Sequence, residues 1–263
     1  MKRRAAFTLV EILLAFACLL AFTVGVFMIL QRFTRAGGVG QWRSTVTGQI
    51  RKAQERLRQQ IEAGAYPMLI TPQANNIAEL PAHYVILNPE GGGTAVDTAT
   101  EYVRVFGPGT GTGEPSASDT PILQLVKSRP GRQGLGATAQ LADKDVEATR
   151  VKLFLRGKTK VYGQTIKWNQ SLFMTEEYNN ISPGGFSHTS EFSFTGGKVT
   201  ETLLANDVNR VSVSVSIEAM KGSAVSTSPV AVEVNVACVD PSEGQARIET
   251  TVRAQPSCGV EVK

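Results

Sequence analysis

Nineteen consecutive residues, Ile12 to Leu30, carry no charge, and Thr23 is the one polar side chain among them. At the helical rise of about 1.5 Å per residue the run covers about 28 Å, close to the hydrocarbon thickness of a bilayer. A secretory signal peptide has a shorter apolar region, about 7 to 15 residues. Lys2, Arg3 and Arg4 precede the run, and by the positive-inside rule the N-terminus is cytoplasmic. Everything beyond Leu30 is then expected on the far side. There is no second long apolar run, and hydrophobic residues make up an ordinary 42% of the chain. After residue 63 about 200 residues remain, enough for one domain with its own core. The net charge is +4, with 27 Lys and Arg against 23 Asp and Glu. Three of those cations belong to the first four residues, so the rest is near neutral and the charge is not a nucleic-acid signal.

Glu11 stands at the edge of the run. A carboxylate at the centre of a membrane helix costs a few kcal/mol, and less near the interface. Position alone leaves two readings: the side chain reaches back to the headgroups, or it meets a partner charge. The surrounding residues, "AAFTLVEILLAF" at 5 to 16, resemble the processing motif of type IV prepilins and pseudopilins. In that family a basic leader is cut just before a Phe, the new N-terminus is methylated, and an acid occupies the fifth mature position. The resemblance implies that residues 1–6 are the leader, that the cut falls between Ala6 and Phe7, that Phe7 is methylated, and that Glu11 is mature residue five. The family's usual residue before the cut is Gly, whereas Ala6 stands here. It further implies that Glu11 is an assembly residue, neutralising the terminal amine of a neighbouring subunit. Opposite charges attract strongly at low dielectric, and a lone one there is penalised.

The resemblance also implies an anchor helix that continues into a soluble part. Trp42, Val46, Ile50, Ala53, Leu57 and Ile61 follow one another at spacings of 4, 4, 3, 4 and 4, one apolar stripe on a helix. The stripe is expected to pack on the head's own sheet, with a partner helix as the lesser alternative. "AGGVG" at 36 to 40 is expected to kink or unwind the helix, since each Gly costs about 1 kcal/mol relative to Ala. The helix should end near Gly64, before Pro67.

Strands are expected at 83–88, 101–106, 122–127, 149–156, 160–168, 210–219, 230–238 and 246–254. In "RVSVSVSIEA" at 210–219, valines alternate with serines, the period of a half-buried strand. It should form an antiparallel hairpin with "VAVEVNVAC" at 230–238. The Gly-, Pro- and Ser-rich stretches 88–100, 107–121 and 128–140 read as long loops, either surface decoration or a partner surface. The fold class is therefore α+β: a long membrane-anchored helix (7–30 in the membrane, 31–63 amphipathic) packed on an antiparallel β-rich head, 64–263.

Cys18 lies within the apolar run as a small apolar residue. Cys238 and Cys258 fall in the part expected to be exported, where disulfides form. A bridge would close about 20 residues and add on the order of 3 kcal/mol. Many type IV pilins carry a C-terminal disulfide loop, which leans toward a pilus over a secretion system. His83 and His188 have no metal-ligand spacing, and no nucleophile elbow, phosphate loop or dinucleotide fingerprint is present. No catalytic residue, metal or cofactor is expected. Asp143, Asp145 and Glu147 read as a solvated stretch. Arg150, Lys152, Arg156, Lys158, Lys160 and Lys167 form a basic band, a wet sheet face or, alternatively, a DNA contact.

The expected function is structural. The resemblance points to a subunit of a type IV pilus-like filament, most similar to minor pilins of the W type or pseudopilins of the J type. Its implied partners are other pilins or pseudopilins, the prepilin peptidase and the inner membrane. The alternatives are a competence pilus subunit that touches nucleic acid and a pseudopilin of type II secretion. Mass spectrometry of the membrane-extracted chain should find a start at Phe7, N-methylated, and Ala6→Gly should speed the cut. A start at Met1 or Lys2 in cells holding the peptidase would contradict the resemblance.

Overall fold

From Leu9 to Glu62 the chain is one helix, α1, of 54 residues. It belongs to a computed structural model that describes residues 9–64, 84–107, 119–130, 146–162, 165–181, 198–218, 230–241, 246–257 and 259–263. The chain divides into two units, Met1–Thr45 and Val46–Lys263. The division falls inside α1, whereas 63/64 was the expected boundary. The reason is burial: Val46, Ile50, Ala53, Leu57 and Ile61 are each at most 4% exposed, so this part of the helix belongs to the head.

The unwound turn expected at 36–40 does not occur, and the backbone is helical through all five residues. Interrupting a helix forces a second nucleation, which is unfavourable, whereas propagation through a Gly costs about 1 kcal/mol. Gly37, Gly38 and Gly40 have open space where a Cβ would stand. The C-terminal end is as expected: Ala63 N–H donates to Gln59 O at 3.0 Å, and Gly64 N–H to Ile61 O at 3.1 Å.

Among the described residues the second unit forms a ten-stranded sheet. Its strands are β1 (Tyr84–Leu87), β2 (Thr94–Ala95), β3 (Glu101–Phe106), β4 (Thr120–Pro130), β5 (Val146–Tyr162), β6 (Thr165–Ile181), β7 (Lys198–Ser216), β8 (Val232–Val239), β9 (Arg247–Ala254) and β10 (Gly259–Val262). Their order is β10-β1-β4-β5-β6-β7-β3-β2, with β8 on β7 and β9 on β8. Every pairing is antiparallel except β1 with β10. The sheet is thus mixed, which corrects the expectation of a purely antiparallel one. The parallel pair joins residues 175 apart, Tyr84 and Gly259, and no local pattern announces such a partner.

One face of the sheet carries the core. Leu123, Leu125, Val151, Leu153, Leu155, Leu172 and Met174 on β4 to β6 are at most 2% exposed, as are Val211, Val213, Val232, Val234 and Val236 on β7 and β8. Their alternation with polar neighbours is the period of two that the sequence shows at 210–217 and 230–236. The hairpin expected there is present, with Val213 opposite Val234.

Two expectations need correction. The stretch 160–168 is no separate strand: Tyr162 closes β5 and pairs with Thr165 at the start of β6, so the stretch divides between the two. β7 begins at Lys198, twelve residues ahead of the expected start, and runs through "ANDVN" at 205–209. There β7 takes an irregularity. Asp207 has φ of 57°, pairing with β8 shifts between Val208 and Arg210, and the strand changes neighbours from β6 to β3 and β8.

Gly107, at the end of β3, has φ of +150° and lies where a Cβ would come within 2.3 Å of Asn209 O. Gly107→Ala should therefore destabilise the head by more than about 1 kcal/mol. Denaturant unfolding would show it as a lowered midpoint, and an unchanged midpoint would mean that the β3 end moves freely.

Candidate functional site

The first unit offers an apolar surface of unusual extent. Phe16, Phe22, Phe27 and Phe33 are 60% to 72% exposed, and twelve further large apolar side chains between Leu9 and Leu30 are also exposed. A soluble protein does not leave such an area in water. α1 is long and apolar enough to cross a membrane, and the apolar window is not buried within the chain. The polar groups inside the run fit that surrounding: the Thr23 hydroxyl donates to Leu19 O, so no hydroxyl is left unbonded in lipid. Cys18 is exposed on the same surface. Glu11 stands in the first turn of α1 as described and is exposed, a place where the helix dipole favours a negative charge. Ala6 and Phe7 lie outside the described residues.

The second unit begins where the stripe starts to be buried. Trp42, ahead of it, is half-exposed, so the buried stripe runs from Val46 to Ile61. Polar groups flanking it fasten α1 to three strands. Gln49 Oε1 accepts from Asn206 N–H on β7 at 3.2 Å. Gln54 Nε2 donates to Thr251 O on β9 at 3.4 Å. Glu176 on β6 gathers Arg56 at 2.8 Å, Gln60 at 3.4 Å and Lys127 of β4 at 3.7 Å. The foot of the helix is held by the chain's last residues: Ser257 donates its N–H and its hydroxyl to Gly64 O, at 3.1 and 2.8 Å. Lys263 is tied in as well, its N–H donating to Leu87 O and its main-chain oxygen accepting from Asn88 Nδ2 and Tyr102 Oη.

The basic band resolves into two parts. Arg150 pairs with Glu177 directly across the β5–β6 ladder. Arg156 bridges Asp119 and Glu201 through four hydrogen bonds of 2.7 to 3.0 Å. Its guanidinium also lies 5.1 and 4.7 Å from the rings of Phe154 and Phe173, which stack at 5.7 Å. Those carboxylates push the Arg156 pKa further up, with the Asp119 bond the larger cause. The charges of Arg150 and Arg156 are thus balanced by acids on the same sheet. The side chains of Lys158, Lys160 and Lys167 lie outside the described residues. Glu176, Glu177, Asp119 and Glu201 did not stand out in the sequence. Their signal is register: each comes to face a cation only once the strands are aligned.

Cys238 is fully buried on β8. Burial, and secondarily the Asp207 carboxylate, push its thiol up to about 12, so as a free thiol it is neutral and unreactive at pH 7. Cys258, its expected partner, lies outside the described residues, as do His83, His188, Asp143 and Asp145. Among the described residues no group of three or more His, Cys, Asp or Glu could hold a metal ion. Near β3 the Asp97 carboxyl is held below its usual range, first by its hydrogen bond from Arg104, and Arg104 lies 4.3 Å above the Tyr102 ring.

No family model matches this chain, and neither the curated proteins nor the solved structures give a match.

With Arg156 held by two carboxylates, Arg156→Gln should act on stability and leave DNA binding alone. The loss of one ion-pair network and two ring contacts amounts to about 1–2 kcal/mol. A mobility-shift titration should find only weak duplex binding, gone at physiological salt and equal in both proteins. Salt-resistant binding abolished by Arg156→Gln would make this band a nucleic-acid surface.

Proposed function

We propose that this chain is a structural subunit of a type IV pilus-like filament, a minor pilin that primes assembly or sits near the tip. The observation that carries the reading is the division of labour along α1. Its first half exposes apolar side chains on all sides, while Val46 to Ile61 are buried in a β-rich head. Glu11 occupies the first turn of the apolar half, where the processing motif places an assembly charge. In this reading the N-terminus is cytoplasmic, the head is exported, and cleavage before Phe7 creates the amine that a neighbour's Glu11 meets. A pseudopilin of a type II secretion system would use the same anchor and the same charge.

Glu11→Gln keeps the size and removes the charge. The variant should insert and be cleaved before Phe7. Breaking a buried charge pair by removing one partner costs about 3–5 kcal/mol, so crosslinking to partner pilins in the membrane should fall close to background. Equal crosslinking and normal filament number in Glu11→Gln would show that the carboxylate merely reaches the headgroups.

A further inference from the structure

Past the apolar run, α1 turns abruptly cationic. Arg32, Arg35 and Arg43 are all exposed, and the sequence holds no Asp or Glu between Glu11 and Glu55. Among the described residues Arg32 and Arg35 take part in none of the ion pairs, which engage Arg56, Arg58, Arg104, Lys127, Arg150, Arg156, Arg210, Arg247 and Arg253. At about 100° per residue the three arginines share an arc of about 80° on one side of the helix.

Depth separates them. Counted from Leu30 at about 1.5 Å per residue, Arg32 stands about 3 Å and Arg35 about 7.5 Å beyond the hydrocarbon. A headgroup layer is about 5 to 8 Å thick on each side, so both guanidiniums lie within it. Arg43 stands about 20 Å out, in water. Phe33, between the first two, is 72% exposed and lies at the depth where an apolar ring dips back toward the acyl chains. The Thr34 hydroxyl donates within the helix, to Gln31 O at 3.0 Å and Leu30 O at 3.1 Å. If the leader is cut before Phe7, no Lys or Arg precedes Arg32 in the remaining chain, so apart from the new N-terminal amine the cations beside the span are at its exit.

A guanidinium presents a planar fork that matches phosphate oxygens two at a time. Resting on the reading of α1 as a membrane anchor, we propose that Arg32 and Arg35 dock the headgroup phosphates of anionic lipids in the leaflet where the span emerges. The pair fixes how deep α1 sits and surrounds the exit with anionic lipid.

The test uses the chain extracted from cells that hold the peptidase, its start at Phe7 checked by mass spectrometry, reconstituted in phosphatidylcholine vesicles containing phosphatidylglycerol at three to one, with trace spin-labelled lipid of either kind. The fraction of each label immobilised by the protein is read by electron paramagnetic resonance. Phosphatidylglycerol should be preferred about fivefold per arginine engaged. Arg32→Gln with Arg35→Gln should bring the preference to parity, Arg43→Gln should keep it, and molar salt should weaken it. A chain washed from the vesicles by alkaline carbonate overturns the anchor reading and this proposal together. A chain retained in the membrane without a preference, with one that survives the double substitution, or with one lost equally in Arg43→Gln, overturns this proposal alone.

Discussion

The burial of Val46, Ile50, Ala53, Leu57 and Ile61 against the sheet is the interaction on which the head depends. Fully burying a large apolar side chain contributes about 1.5–3 kcal/mol, and four of these five are large, which is comparable with the whole stability of a domain. Without the helix, the valines of β7 and β8 and the leucines of β4 to β6 would lose their cover. Without the sheet, an isolated helix of this composition would be marginal in water. The polar bonds along the flanks of the stripe, from Gln49 to Gln60, set its register on the strands more than they add to its affinity.

The last residues of the chain extend that arrangement. Ser257 closes the foot of α1, β10 adds a parallel strand to β1, and Lys263 meets Asn88 and Tyr102. The helix end, the sheet edge and the C-terminal segment thereby stabilise one another. Each is short by itself: β1 and β10 have four residues apiece, too few to persist without the rest.

Charge follows the opposite logic on the other face. Arg150 with Glu177 is a cross-strand pair, while Arg156 reaches Asp119 just ahead of β4 and Glu201 two strands away; such pairs would be near-worthless if fully exposed. Their partial burial and the rings of Phe154 and Phe173 raise their contribution. Of the row of cations that looks like a binding surface along the sequence, Arg150 and Arg156 are therefore engaged by acids of the same sheet. Arg32 and Arg35, beyond Leu30, take part in none of the ion pairs among the described residues, and in the anchor reading they stand at a bilayer surface.

What could be read from the chain itself was whatever depends on neighbours within a few residues. The apolar run, the stripe at spacings of three and four, the alternation at 210–217 and 230–236, and the stop near Gly64 are local patterns, because helix and strand periods are set by the backbone. The stretch around Phe7 and Glu11 that resembles a prepilin processing motif is local too. The sequence misled where local chemistry was overruled. Three glycines did not unwind a helix already nucleated on both sides, and "ANDVN" became an irregularity inside a 19-residue strand because β6, β3 and β8 all pair with it. The parallel β1–β10 pair, the partners of Arg156 and the division of the chain at Thr45 were decided only by tertiary structure. Each depends on which distant residues are brought together, and register across a sheet is a property of two strands that neither one carries alone.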